Sequence, residues 1–184
     1  MINKKLYHLS FNASLEGVWT PKNPDGLLPE DSEYVESVYP EPSTPRISCA
    51  PTIIQCFQAI YPNVKSLFDV NNYPHLDFYV YSPVFKGGEK VMTPDELCKK
   101  RMVHDAYVTG EHCIFSPVKM DLVGKVRINR ISNVVRIYYR PFNDPKLKKD
   151  SWIPGGFTFS VLNRYKNIAI EGEIISSPVP YYNW

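Results

Sequence analysis

Seventeen prolines against only nine glycines constrain this 184-residue chain more than any other feature of its sequence. A proline inside a helix lacks the amide that would bond the carbonyl four residues back, and its ring crowds that carbonyl, so frequent prolines favour short elements joined by restricted loops. Thirteen tyrosines push the same way, because aromatic side chains fit the pleated surface of a strand. The expectation is a sheet-rich protein with short helices. An apolar content of 43% excludes a disordered chain, and the length suits one domain with a substantial core but is marginal for two. A net charge of +2 gives no reason to expect nucleic acid or an anionic membrane surface as a partner.

The cysteines at 49, 56, 98 and 113 form no CxxC pair, so reduced buried thiols are expected and a metal site is not. The first residues, Met-Ile-Asn-Lys-Lys, are followed by polar sequence from Asn12, which leaves no apolar core for a secretory signal, and no later run reaches membrane-spanning length. A cytoplasmic location is expected, in a bacterium or in a phage-infected cell.

Residues 5–11 alternate, with Leu6, His8 and Ser10 on one face of a first strand and Tyr7, Leu9 and Phe11 on the other. Burying the second face turns His8 toward a more polar side that can form a cleft floor. Residues 12–45 hold six prolines and little periodicity, and read as a loop over that cleft. Apolar residues at helical spacing then predict a helix over 50–60, capped by Ser48 or Cys49, with Pro51 in its first turn and a stop before Pro62. Residues 76–82, which include Tyr81, read as an aromatic strand. Thr93-Pro94-Asp95-Glu96 is a strong helix start, with Thr93 as cap and Glu96 able to close a capping box, and the helix is expected over 94–100.

His104 and Asp105 fall in a loop that leads to Thr109-Gly110-Glu111 and a strand over 113–115. Glu111 follows a glycine and precedes a short apolar run, so its carboxylate sits where a loop enters a strand and can face a cleft. The alternative is a solvated residue at a strand start. Further strands are expected over 122–128, 134–139, 157–161 and 168–171, with turns at 145–149 and at Pro154-Gly155-Gly156. Arg127, Arg130, Arg136 and Arg140 are expected to solvate an outer sheet face, with an anionic ligand as the alternative. The sequence holds no internal repeat, no GxGxxG and no phosphate-binding GxxxxGK[ST].

A first strand with a central His8, a short strand ending in Ser48 before a helix, and a late strand introduced by Glu111 together resemble the small ADP-ribosyltransferase fold over residues 5–128. That superfamily carries His or Arg, then Ser, Thr or Tyr, then Glu, on separate strands around an NAD cleft. The resemblance implies one α+β domain over 1–184, built on bent, mostly antiparallel sheets with two short helices, and it leaves 129–184 as a strand-rich C-terminal extension. It implies that NAD is the substrate, that His8 holds a ribose hydroxyl, and that Ser48 lines the nicotinamide side. Arg46 and Tyr81 join His8 and Ser48 as NAD-binding residues, and Glu111 accepts a hydrogen bond from the nicotinamide ribose.

The implied activity is ADP-ribosyl transfer or NAD glycohydrolysis by a toxin or phage effector, with a macromolecular acceptor that the sequence does not assign. Members that modify arginine place Glu or Gln two residues before the catalytic Glu, where this chain has Thr109, so arginine is not the expected acceptor. A non-catalytic binding or inhibitor protein, such as a phage anti-defence protein, is the alternative. It would engage a protein partner through the Tyr- and Pro-rich loops and the tail Tyr181-Tyr182-Asn183-Trp184. Two-histidine phosphoesterase chemistry, prompted by His8-Leu9-Ser10, ranks last because no second His-x-Ser/Thr follows.

Overall fold

The computed structural model describes residues 5–23, 44–71, 73–103, 106–131, 134–142 and 152–160. In chain order its elements are β1 (His8–Ser10), β2 (Gly17–Trp19), β3 (Ile47–Cys49), α1 (Ile53–Asn71), β4 (His75–Val84), β5 (Val91–Met92) and α2 (Pro94–Lys99). They continue with α3 (Ala106–Thr109), β6 (His112–Ile114), β7 (Val118–Ile131), β8 (Val134–Pro141) and β9 (Ile153–Ser160). The larger sheet runs β1-β4-β7-β8-β9, with β2 also paired to β7, and the smaller runs β3-β6-β5. All these pairings are antiparallel. An α+β architecture dominated by antiparallel sheet is therefore present.

Strand β4 places Leu76, Phe78 and Val80 in one cluster with Val126 and Ile128 of β7, Ile137 of β8, and Ile53, Cys56, Phe57 and Val64 of α1. A second cluster joins Leu6 to Ile47, Cys49, Tyr81, Ile114, Val118 and Met120. Leu6 is 1% exposed and Leu9 8%. Both faces of the first strand are thus covered, where alternation alone suggested one buried face.

Helix α1 departs most from expectation. It begins at Ile53, where the hydroxyl of Thr52 accepts the amide of Gln55 at 3.1 Å, so Thr52 is the cap and Ser48 lies in β3. It then continues through Pro62 to Asn71. Proline inside a helix costs about 3 kcal/mol, but the apolar stripe goes on past it: Val64 is fully buried in the first cluster and Leu67 packs against that cluster. Burying Val64 fully is worth about 1.5–3 kcal/mol, and the partly buried Leu67 adds to it, so that together they offset the break. The helix is therefore long, not short.

Helix α2 starts as its sequence announces. Glu96 Oε2 accepts the Thr93 amide at 2.8 Å, and Leu97 is buried beneath. Pro154-Gly155-Gly156, expected as a turn, lies inside β9 beside a register shift between Arg136 and Tyr138 of β8. An irregularity in the ladder is where a strand accepts proline and glycine. Strand β2 and the single turn α3 were not anticipated. The expected features at 24–43, His104, Asp105, 145–149, 168–171 and 181–184 lie outside the described residues.

On the β4–β7 surface opposite Phe78, Asp77 is gripped by Arg127 through two bonds of 2.7 and 2.8 Å and by Lys125 at 2.8 Å. The Arg127 guanidinium also lies 5.1 Å from the Trp152 ring centroid. Arg127 is thus a cross-strand tie on the sheet, and Arg140 stacks over Phe142 at 5.9 Å. The side chains of Arg130 and Arg136 are outside the described part. Among the described residues, no helix is long and apolar enough to cross a membrane.

Candidate functional site

Strand β3 pairs with β6 in the smaller sheet, and β1, at the edge of the larger sheet, approaches β3. Ser48 pairs with Cys113 across the β3–β6 ladder, and Tyr7 pairs with Ala50 to join the first strand to β3. Three segments that are distant in sequence therefore place His8, Ser48 and Glu111 on one cavity of about 70 Å³. Thr109 also borders it, and Leu9, Ala50, Cys56 and Ile60 supply apolar wall.

The Nδ1 of His8 lies 2.7 Å from the Ser48 carbonyl oxygen. A carbonyl only accepts, so Nδ1 carries the hydrogen, and in the neutral ring Nε2 is left as an acceptor. Burial lowers the His8 pKa below its ordinary value, against the opposing pull of the Ser48 carbonyl. The imidazole is neutral at pH 7 and suited to accept a hydroxyl hydrogen. The ring of Trp19 meets it edge to face, with centroids 5.0 Å apart and planes at 86°.

Glu111 is carried by a turn that favours glycine. Gly110 has φ +64°, and a β-carbon there would lie 2.3 Å from Nε2 of Gln55. The turn is closed by the Glu111 amide donating to Ala106 O at 3.1 Å and by His112 Nδ1–H donating to Gly110 O at 2.8 Å. The carboxylate accepts the Cys113 thiol at 3.5 Å. Burial, followed by the negative charge of Glu111, pushes the Cys113 thiol up. Burial raises Cys56 to about 12 and Cys49 well above its ordinary value. These thiols stay protonated, so none of them is a thiolate nucleophile, and the surface that the lining residues turn to the cavity is almost wholly apolar.

The other expected site residues are placed differently. Tyr81 is 0% exposed in the second core cluster, and its hydroxyl donates to Asn12 O at 2.8 Å while accepting the Leu15 amide at 3.2 Å. It does not line the cavity, because two backbone groups of the preceding loop occupy its polar end. Arg46 is buried at 8% exposure, is bridged to Lys22, and acts on Cys113 through its positive charge rather than lining the cavity. Among the described residues no three His, Cys, Asp or Glu side chains gather as a metal-binding group.

Trp19, against His8, and Gln55, beside Gly110, support the cavity without lining it, and sequence reasoning assigned neither. The prolines around Gly17-Val18-Trp19 disguised a strand as loop, although a glycine followed by two β-formers was the available signal. Comparison with protein-family models, curated proteins and solved structures returns no match to this chain.

Proposed function

We propose that the protein cleaves the bond between nicotinamide and ribose in NAD and passes ADP-ribose to a macromolecular acceptor or to water, in the manner of the small ADP-ribosyltransferases. The observation that supports this reading is that His8 of β1, Ser48 of β3 and Glu111 of the turn before β6 border one cavity. As the C1′–N bond breaks, its electron pair leaves with nicotinamide and positive charge spreads over C1′ and the ring oxygen of the ribose. Glu111 stabilises that charge, in a site where burial strengthens the interaction. The acceptor then supplies an electron pair to C1′ and loses a proton. His8 Nε2 accepts a ribose hydroxyl and fixes the sugar in place, and Ser48 lines the nicotinamide side. The free thiols fit a reducing compartment, and we assign the activity to the cytoplasm, as a toxin or phage effector.

One observation favours a second reading. Ligand sites usually measure about 300–1,000 Å³, and this cavity is about 70 Å³, so a binding or inhibitor protein that shares the arrangement without its chemistry fits the cavity as it stands. Release of nicotinamide from NAD, measured first alone and then with cell extract as acceptor source, separates the two. Glu111→Gln should lower turnover by roughly a hundredfold or more with little change in NAD affinity, because the lost interaction belongs to the transition state. Affinity is read from the rise in melting temperature with NAD. A wild-type protein that releases no nicotinamide under either condition, or a Glu111→Gln variant that matches wild type, refutes the enzyme reading.

A further inference from the structure

Within this site His8 is held from two sides, and only one of them is a hydrogen bond. The Nδ1–H bond to Ser48 O fixes one ring atom, about which the imidazole plane can still swing. The second restraint is Trp19, delivered by β2 from the opposite edge of β7. Trp19 is itself anchored: its indole N–H donates to Leu15 O, and its ring lies 5.1 Å from that of Tyr81. Tyr81 in turn holds the loop through Asn12 O and the Leu15 amide. A continuous path therefore runs from the core, through Tyr81 and Leu15, to the indole and the imidazole.

We infer that Trp19 is a positioning residue that fixes the plane of the His8 imidazole and keeps water from it, so that Nε2 points at the ribose hydroxyl it is to accept. The inference rests on the NAD reading for its kinetic consequence but not for its structural one. An edge-to-face pair of this geometry is favourable beyond the area it buries, and an indole against one side of the imidazole excludes solvent there. The lowered pKa of His8, caused first by burial, agrees with that shielding. Of the other titratable groups lining the cavity, Cys49 from β3 and Cys56 from α1 remain protonated through neutral pH, which leaves Glu111, on the turn before β6, as the carboxyl neighbour.

The test has a structural arm and a kinetic arm. Followed by NMR, the His8 ring in Trp19→Leu should titrate at higher pH, toward the value of about 6.5 for a solvated imidazole, while Trp19→Phe restores most of the wild-type midpoint. Glu111→Gln, titrated alongside, isolates the carboxylate's share. In the wild-type protein the Trp19 indole N–H resonance should move with the His8 midpoint, a measurement that does not require any variant to fold. In nicotinamide release, Trp19→Leu should raise KM for NAD several-fold with kcat within about twofold, because ribose placement is weakened in ground and transition states alike. An unchanged His8 midpoint in folded Trp19→Leu, or a Trp19 resonance indifferent to His8 protonation, overturns the inference. A shifted midpoint in a protein that never turns over NAD supports the positioning role and refutes the enzyme reading.

Discussion

Replacing Gly110 with alanine tests the turn that presents Glu111, and its cost can be assembled from two separable parts. The first is backbone: a residue with a β-carbon held at φ +64° loses about 1–2 kcal/mol. The second is contact. The new β-carbon would lie 2.3 Å from Nε2 and 2.8 Å from Cδ of Gln55, so the carboxamide must leave. In leaving it gives up the hydrogen bond that Thr52 donates to its Oε1 at 3.0 Å, worth about 1 kcal/mol. Alanine returns about 0.4–1 kcal/mol by restricting the unfolded chain. The net loss is about 2 kcal/mol, or roughly 4–8 °C in melting temperature for a chain of this size.

Urea unfolding of Gly110→Ala in wild-type and Gln55→Ala backgrounds separates the parts, since only the backbone cost of about 1 kcal/mol should survive when the carboxamide is absent. If the proposed NAD chemistry holds, nicotinamide release by Gly110→Ala should fall at temperatures where the protein is fully folded, because the turn carries Glu111. Equal destabilisation in both backgrounds would show that Gln55 is not what the β-carbon meets. A loss below about 0.5 kcal/mol, the range of an ordinary surface change, would refute the account of the turn altogether.

Two further outcomes follow from the sheets. Arg127 first, and Lys125 with it, holds the Asp77 carboxyl at about 2, below its ordinary 3.8. A depressed folded-state pKa contributes stability that is present above pH 3.8 and lost as pH falls through about 2. Asp77→Asn should therefore cost about 1–2 kcal/mol at pH 7, after allowance for screening by water, and acid titration of stability should show the gap to wild type closing below pH 3.8. Gly124→Ala would place a β-carbon 2.5 Å from Tyr139 Cε2 and 2.8 Å from the Arg140 carbonyl oxygen. Because backbone must yield there, a loss of about 1–3 kcal/mol is expected in urea unfolding.

What could be read in advance follows the range of the interactions involved. The start of α2 is a local matter, settled within Thr93-Pro94-Asp95-Glu96, and it was legible. The end of α1 is a tertiary matter: Pro62 is a local stop signal, and the burial of Val64 that overrides it depends on β4 and β7. The same distinction divides the site. The order of His8, Ser48 and Glu111 along the chain suggested a shared cavity, and the three do line one. Tyr81 looked equally available from its strand, but a register shift between Val80 and Tyr81 and two polar contacts from Asn12 and Leu15 commit it to the core. Those partners sit more than sixty residues away in sequence, beyond any local pattern.

The junction between β1 and β3 sets how far the cavity can widen. Strands β4 and β7 pair along ten residues, whereas among the described residues the hydrogen bonds between the first strand and β3 are the exchange between Tyr7 and Ala50, at 2.8 and 2.9 Å, and the His8 bond to Ser48 O at 2.7 Å. Three such bonds contribute a net strength of about 3 kcal/mol, and parting this line would also uncover Leu6 from Ile47 and Cys49 and Leu9 from Ala50, so widening the cavity here costs more than the bonds alone. An occupant larger than the closed cavity must meet that cost from its own binding energy, and its apparent affinity falls accordingly. Stability and affinity are thereby set in opposition along one line of the fold: whatever loosens the seam makes the protein easier to unfold and easier to fill.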